Sequence, residues 1–227
     1  REPGVRLHIA KDIPVAGGMA GGSADAAGAL LACDALWGTS TPREELLALC
    51  AELGSDVPFS LVGGAALGRG RGELLTPLET GGTFHWVFAV ADGGLSTPSV
   101  YRECDRLREA GGTAGGTGSA EADVPAPEPS GPLLDALRTG DAAALAGALS
   151  NDLQAAAISL RPSLADTLKT GTAAGALAAL VSGSGPTCAF LAEDAASASA
   201  VAAALTASGT CRATRITTSP APGATLL

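Results

Sequence analysis

A few short segments of this chain carry residue types and spacings that could do chemistry. The first is Pro14-Val15-Ala16-Gly17-Gly18-Met19-Ala20-Gly21-Gly22-Ser23-Ala24. Glycine lacks the Cβ that would hold an anion away from the backbone, and Ser23 adds a hydroxyl donor. If a helix starts at the end of this loop, its first N–H groups have no intrahelical acceptor, and the helix dipole is positive there. Such an end binds phosphate readily. The plainer alternative is a glycine-rich turn that only joins two elements, and spacing alone does not separate the two. A Walker loop would close with Gly-Lys-Ser/Thr, where Gly22-Ser23-Ala24 stands. A dinucleotide fingerprint needs G-x-G-x-x-G, whereas residues 17–22 read GGMAGG.

The second segment is Leu53-Gly54-Ser55-Asp56-Val57-Pro58-Phe59. A carboxylate held in a constrained turn can act as a base toward a hydroxyl. A lone Asp between a helix and Val-Pro is more often a cap or turn residue. The third is Ser182-Gly183-Ser184-Gly185-Pro186, another glycine turn. Ser182 or Ser184 could be paired with a His and an Asp in a hydrolase. The segment is not G-x-S-x-G, and neither His8 nor His85 sits in a motif, so that reading is minor. Cys33, Cys50, Cys104, Cys188 and Cys211 form no C-x-x-C pair. They are expected to be reduced thiols of a cytoplasmic protein, with neither a zinc site nor a disulfide framework.

Elements must position these segments. Val5, Leu7 and Ile9 alternate with polar residues and predict a half-buried strand before the first loop. Ser23 to Trp37 reads as a helix with Ala26, Leu30, Cys33 and Trp37 on one face. In the next helix Thr41 is the expected cap, Pro42 the first helical residue and Gly54 a left-handed terminator. Pro58 is expected to hold Val57 extended, with Asp56 in a turn. Phe84 to Ala91 reads as a buried strand, and Trp37, Trp86 and Phe88 as core. Ser96-Thr97-Pro98 reads as a turn after that strand. Residues 110–131, rich in Gly and Pro, read as a flexible loop or insertion. Helices are expected through 132–180, a strand over 187–191, a helix capped by Asp194 and ending near Gly209, and a last strand near 211–217. Strands and helices intersperse without a regular βαβ repeat, so the fold class is α+β.

Composition limits the partners. The 227 residues are 46% hydrophobic and 16% charged, enough for one large or two small domains with real cores. The formal net charge is −9 and aromatics make up 3%. Neither suits nucleic acid, an anionic membrane surface or base stacking. No apolar run approaches the roughly 18 residues of a membrane-spanning helix.

Residues 14–24 resemble the phosphate loop of the galactokinase, homoserine kinase, mevalonate kinase and phosphomevalonate kinase (GHMP) superfamily. Three further segments agree in order: Leu53–Phe59, Leu149-Ser150-Asn151-Asp152-Leu153 and Ser182–Pro186. The likeness spans nearly the whole chain except 110–131. It implies a two-subdomain GHMP kinase fold with an active-site cleft between the subdomains. Residues 1–80 would be an incomplete N-terminal domain and 81–227 the C-terminal domain. The implied activity is ATP-dependent phosphorylation of an alcohol on a small molecule, with ATP and Mg²⁺ as cofactors and neither nucleic acid nor membrane as partner. Lys11 and residues Pro14 to Ala24 would hold the nucleotide, and Asp56 would be catalytic. Ser23 would meet phosphate or magnesium, and Thr97, Gly183, Ser184 and Gly185 would line the substrate cleft. One departure is Ser23-Ala24 where a Ser-Ser pair is common. Another is the family's Lys-x-Asn-Leu segment with a second catalytic lysine, which would precede residue 1. A homoserine- or mevalonate-type kinase and a nucleotide-binding chain without turnover are the remaining alternatives.

Overall fold

The computed structural model describes residues 4–13, 17–112 and 128–227. Pro14, Val15 and Ala16 of the first glycine loop, and residues 113–127 of the expected insertion, lie outside the described residues. The chain divides into two compact units. One comprises Arg1–Val15, Ala20–Thr80 and Ser219–Leu227; the other comprises Ala16–Met19 and Gly81–Thr218.

The first unit is built from α1 (Gly21–Trp37), α2 (Arg43–Leu53), α3 (Val57–Val62) and the antiparallel strands β1 (Ala65–Arg69) and β2 (Leu74–Leu78). Ala27, Leu46, Cys50, Val57 and Leu61 form its core, with Ala26, Leu30 and Leu31 packed against them. Glu44 and Glu45 in the first turn of α2 suit its positive end. The C-terminal segment returns to this unit: Gly64 N–H donates to Ala221 O at 2.7 Å, and Ala224 N–H to Ser60 O at 2.9 Å. Gly63 makes this approach possible. Its φ is +68°, and a Cβ there would lie 2.0 Å from Gly223 N.

Several local expectations fail in this unit. Residues 4–10 form no strand, and Val5, Leu7 and Ile9 are 43–53% exposed. Alternation marks a strand only if a partner strand pairs with it, and among the described residues none does. Trp37 is exposed at the end of α1, not core. The α2 cap is Pro42, without a side-chain bond, and Thr41 instead donates its N–H to Asp34 at 2.9 Å. Gly54 is extended, with φ 167°, and Val57 is the first residue of α3. Pro58 therefore occupies a first-turn position, where its missing N–H costs nothing.

The second unit contains β3 (Phe84–Val90), α4 (Thr97–Gly112), α5 (Gly131–Thr139), α6 (Ala142–Ala148), α7 (Gln154–Leu160), α8 (Ser163–Ala173), β4 (Ala178–Val181), β5 (Cys188–Ala192), α9 (Ala195–Ser208) and β6 (Ala213–Ser219). The sheet order is β4-β5-β3-β6, with β5 antiparallel to both β3 and β4. Opposite faces of the sheet face opposite cores. Val87, Ala89, Cys188 and Phe190 pack with Val100, Ala157, Leu164, Val201 and Leu205. Phe84 and Leu191 pack with Ala136, Leu145 and the half-buried Trp86. That is the period of two expected of a strand covered on both sides. Asp194 and Gly209 cap α9 as its sequence predicts, with Ser197 N–H donating to Asp194 at 2.7 Å. Thr97 and Pro98 open α4 and do not form a turn, because Pro suits a first helical turn. The expected insertion is narrower than 110–131, since α4 runs to Gly112 and Gly131 opens α5.

Candidate active site

The first glycine loop ends in a helix. Ala20 is left-handed at φ 49° and caps α1 without a side-chain hydrogen bond. The first bond of the helix runs from Ala24 N–H to Ala20 O at 3.0 Å. The N–H groups of Gly21, Gly22 and Ser23 thus precede the helical ladder. A left-handed alanine costs about 1–2 kcal/mol, and such strain concentrates at functional sites. A Cβ on Gly22 would meet nothing within 4 Å, so the approach to its backbone is open. Gly21 differs: it is buried, and a Cβ there would lie 2.6 Å from Ile13.

Lys11 reaches this helix end. Its Nζ donates to Gly21 O at 2.7 Å and pairs with the Asp25 carboxylate. The ammonium is therefore beside the first turn but already neutralised by an acid within the same helix. Sequence reading passed over Asp25; an acid 14 residues from its lysine carries no local signal.

Asp56 stands at the N-cap of α3, which packs on α1. Its carboxylate makes no cap bond, although the position invites one. The residue is exposed, and Ser60 binds only its backbone oxygen. Among the described residues the carboxylate has no hydrogen-bond or ion-pair partner. A turn or capping aspartate would have used its side chain; this one leaves both oxygens available.

The second glycine turn connects β4 to β5 and meets Gly18. Ser182 Oγ donates to Gly18 O at 2.7 Å. A Cβ on Gly18, whose φ is +70°, would lie 2.4 Å from Ser182 O and 2.8 Å from Gly185 O. Only glycine allows this contact. Thr97 Oγ1 and Ser184 Oγ lie 2.8 Å apart, so the start of α4 is tied to the same turn. The structure thus brings Thr97, Gly183, Ser184 and Gly185 together with Gly18. It also shows two residues that sequence reading left without a role. Asn151 donates to Val181 O and Gly183 O, and Gln154 accepts from Val181 N–H at 2.9 Å. Behind them, Ser159 on α7 and Arg106 bind Glu103 on α4. These hydrogen bonds hold the Glu103 carboxyl down at about 2.

The residues present fit a phosphate-bearing nucleotide: an uncapped helix end, an open glycine and a nearby serine hydroxyl. Among the described residues, no group of three or more His, Cys, Asp or Glu could hold a metal ion by itself. No helix of the described residues is long and apolar enough to cross a membrane.

The family model described as GHMP kinases N terminal domain matches residues 1–64, and that described as GHMP kinases C terminal matches 133–211. A 4-diphosphocytidyl-2-C-methyl-D-erythritol kinase of Streptomyces avermitilis is 72% identical over 99% of this chain and 72% of its own length. The protein of the same name from Thermobifida fusca is 60% identical over 99% of this chain and 69% of its own. A crystal structure of 4-(cytidine 5'-diphospho)-2C-methyl-D-erythritol kinase, 33% identical, matches with a TM-score of 0.71 over 92% of this chain and 68% of that one. Homoserine kinase from Cytophaga hutchinsonii, 18% identical with a TM-score of 0.70 over 94% of this chain and 69% of that one, shares the fold. The chain belongs to the GHMP kinases and, within that class, to the 4-diphosphocytidyl-2-C-methyl-D-erythritol kinase family.

Proposed function

We propose that the protein phosphorylates the 2-hydroxyl of 4-diphosphocytidyl-2-C-methyl-D-erythritol at the expense of ATP, in the non-mevalonate route to isoprenoid precursors. Relatives of that name at 54–72% identity support the substrate. The observation that carries the mechanism is the Asp56 carboxylate, without a hydrogen-bond or ion-pair partner among the described residues, at the start of a helix packed on α1. In this reading residues 1–80 form part of the N-terminal kinase domain and 81–227 the C-terminal one, although Ser219–Leu227 packs with the first compact unit and Ala16–Met19 with the second; the two family models match 1–64 and 133–211.

Bound ATP supplies the transferable phosphoryl group, and Mg²⁺ on its phosphates offsets their charge. Within residues 14–24 the backbone N–H groups that precede the helical ladder of α1 would hold the phosphates, with open space at Gly22 and the Ser23 hydroxyl available to phosphate or metal. Lys11 stands beside them, its charge shared with Asp25. Asp56 orients the acceptor hydroxyl and takes its proton as the new bond forms, a late transfer because a carboxylate is far less basic than an alkoxide. Gly183, Ser184, Gly185 and Thr97 back the loop at Gly18. Small molecules, and neither nucleic acid nor membrane, are the partners of this reading. A cytoplasmic setting suits five free cysteines, among which burial pushes the Cys188 thiol up to about 12.

The test is Asp56→Asn in the full-length protein. It keeps the size and removes the charge and the base. The kcat is expected to fall about 10²–10⁴-fold with ATP affinity nearly unchanged. Melting temperature should hold, since no partner is lost. Near-normal turnover in a stable variant would remove Asp56 from the mechanism.

A further inference from the structure

The segment Leu149–Leu153 matches the kinase family yet takes no part in the mechanism above. In the structure its Asn151 sits between α6 and α7 and reaches across to the second glycine turn. Nδ2 donates to Val181 O at 2.7 Å and to Gly183 O at 2.8 Å, and Oδ1 accepts from Leu153 N–H at 3.0 Å. An asparagine amide has two donor hydrogens and an acceptor oxygen, and here each kind is used on main chain. The two carbonyls that it holds flank Ser182. Gln154 holds the same residue, accepting from Val181 N–H.

The consequence runs through the peptide planes. A trans peptide carries its carbonyl and the next N–H on opposite sides. Drawing the Val181 carbonyl to Asn151 turns the Ser182 N–H away, and that N–H donates to Thr187 O at 2.8 Å. Drawing the Gly183 carbonyl to Asn151 turns the Ser184 N–H away in the same manner. With both neighbouring peptides held, Ser182 Oγ is aimed at Gly18 O, 2.7 Å away. From these contacts we infer that Asn151 is a positioning residue. It acts through the 182–185 turn on Gly17–Met19, and so sets the backbone of the phosphate loop. This inference rests on the reading that residues 14–24 bind nucleotide.

The experiment compares Asn151→Asp, Asn151→Ser and Asp141→Ala in the full-length protein. Asn151→Asp keeps the acceptor for Leu153, removes both donors and sets a carboxylate against two carbonyls. Asp141→Ala is the control: it removes the α6 cap, a bond from Ala144 N–H at 2.9 Å, in the same unit. Backbone hydrogen exchange is measured at 17–19 and 182–185, together with kcat and KM for ATP, where each variant is folded. For Asn151→Asp, exchange at both segments and KM for ATP should each rise about tenfold or more, with kcat changing less. Asn151→Ser should move in the same direction by less, and Asp141→Ala should lower the melting temperature without moving either readout. Exchange that rises at 182–185 alone, or an unchanged KM, overturns the inference. If Asn151→Asp does not fold, Asn151→Ser decides on the same criteria; if neither folds, Asn151 serves folding and the inference is overturned. Wild-type protein that fails to phosphorylate the proposed substrate counts against the proposed function, while the exchange measurement still decides the role of Asn151.

Discussion

At the first glycine turn the helix start is left open: Ala20 caps α1 with no side-chain bond, and nothing crowds Gly22. At the second turn the backbone is tied down at several points, by Asn151 and Gln154 at its root, Thr97 at Ser184, and Thr187 O on the Ser182 N–H. Both are glycine-rich, and both look alike in the sequence. The difference teaches that glycine serves opposite ends in them. In the first it leaves N–H groups accessible to an anion. In the second it lets a tightly hydrogen-bonded turn come against Gly18 of the first. A binding loop that gains precision from a rigid neighbour is better preorganised than one that must order itself around its ligand.

Breaking the contact between the turns should have the largest effect. Gly18→Val adds a Cβ where φ is +70° and Ser182 O is 2.4 Å away. A left-handed residue costs about 1–2 kcal/mol. Overpacking adds about 1–3 kcal/mol. Denaturant unfolding should show both losses, and nucleotide binding should fail at temperatures where the wild type binds.

Gly22→Val probes the open turn without touching the closed one. Nothing lies within 4 Å of the new Cβ, and valine is no worse than glycine in a helix. Melting temperature should stay or rise slightly, while ATP affinity measured by calorimetry falls about tenfold or more, equivalent to ~1.4 kcal/mol. Unchanged affinity would refute the phosphate role of this loop. Gly21→Val is the poorer probe, because its Cβ strikes Ile13 at 2.6 Å and would mix packing with binding.

The smallest expected effect lies behind the closed turn. Glu103 joins α4, which begins at Thr97, to Ser159 on α7, which begins at Gln154. Hydrogen bonds from Arg106 and Ser159 lower its folded value from 4.5 to about 2. A lowered folded value means that the carboxylate stabilises the fold above the unfolded value, and that this stabilisation is lost as pH falls from about 4.5 toward 2. Glu103→Gln should therefore lower stability modestly at pH 7, where the carboxylate contributes fully, and flatten its pH dependence within that window. An identical acid limb in both proteins would show that this carboxylate does not hold the closed turn's helices together.

The candidate site was legible where its signals are local. Glycines at 17–22, the serine after them, and Asp56 before Val-Pro are contiguous features, and their likeness to the kinase family supplied the roles. Asp56 read by itself pointed to a cap, and the structure shows a cap position whose side chain is unused. Asn151 lay within a matched segment but without a role, since its partners are 30 and 32 residues away. Asp25 was invisible for the same reason.

The sequence by itself determined the elements whose stability is local or two-faced. Helix α9 follows from Asp194 and Gly209, and β3 from an apolar run of strand formers covered on both faces. The features behind the proposed phosphate role of residues 14–24 are local too, because glycine's missing Cβ and the orphan N–H groups of a helix start are properties of a contiguous segment. Only the tertiary structure decided which segments find partners. Val5, Leu7 and Ile9 alternate as a strand should, yet pair with no strand among the described residues. Ser182, 164 residues from Gly18, is hydrogen-bonded to it. Strand pairing and side-chain-to-backbone bonds depend on what the folded chain brings alongside, and no local pattern encodes that neighbour.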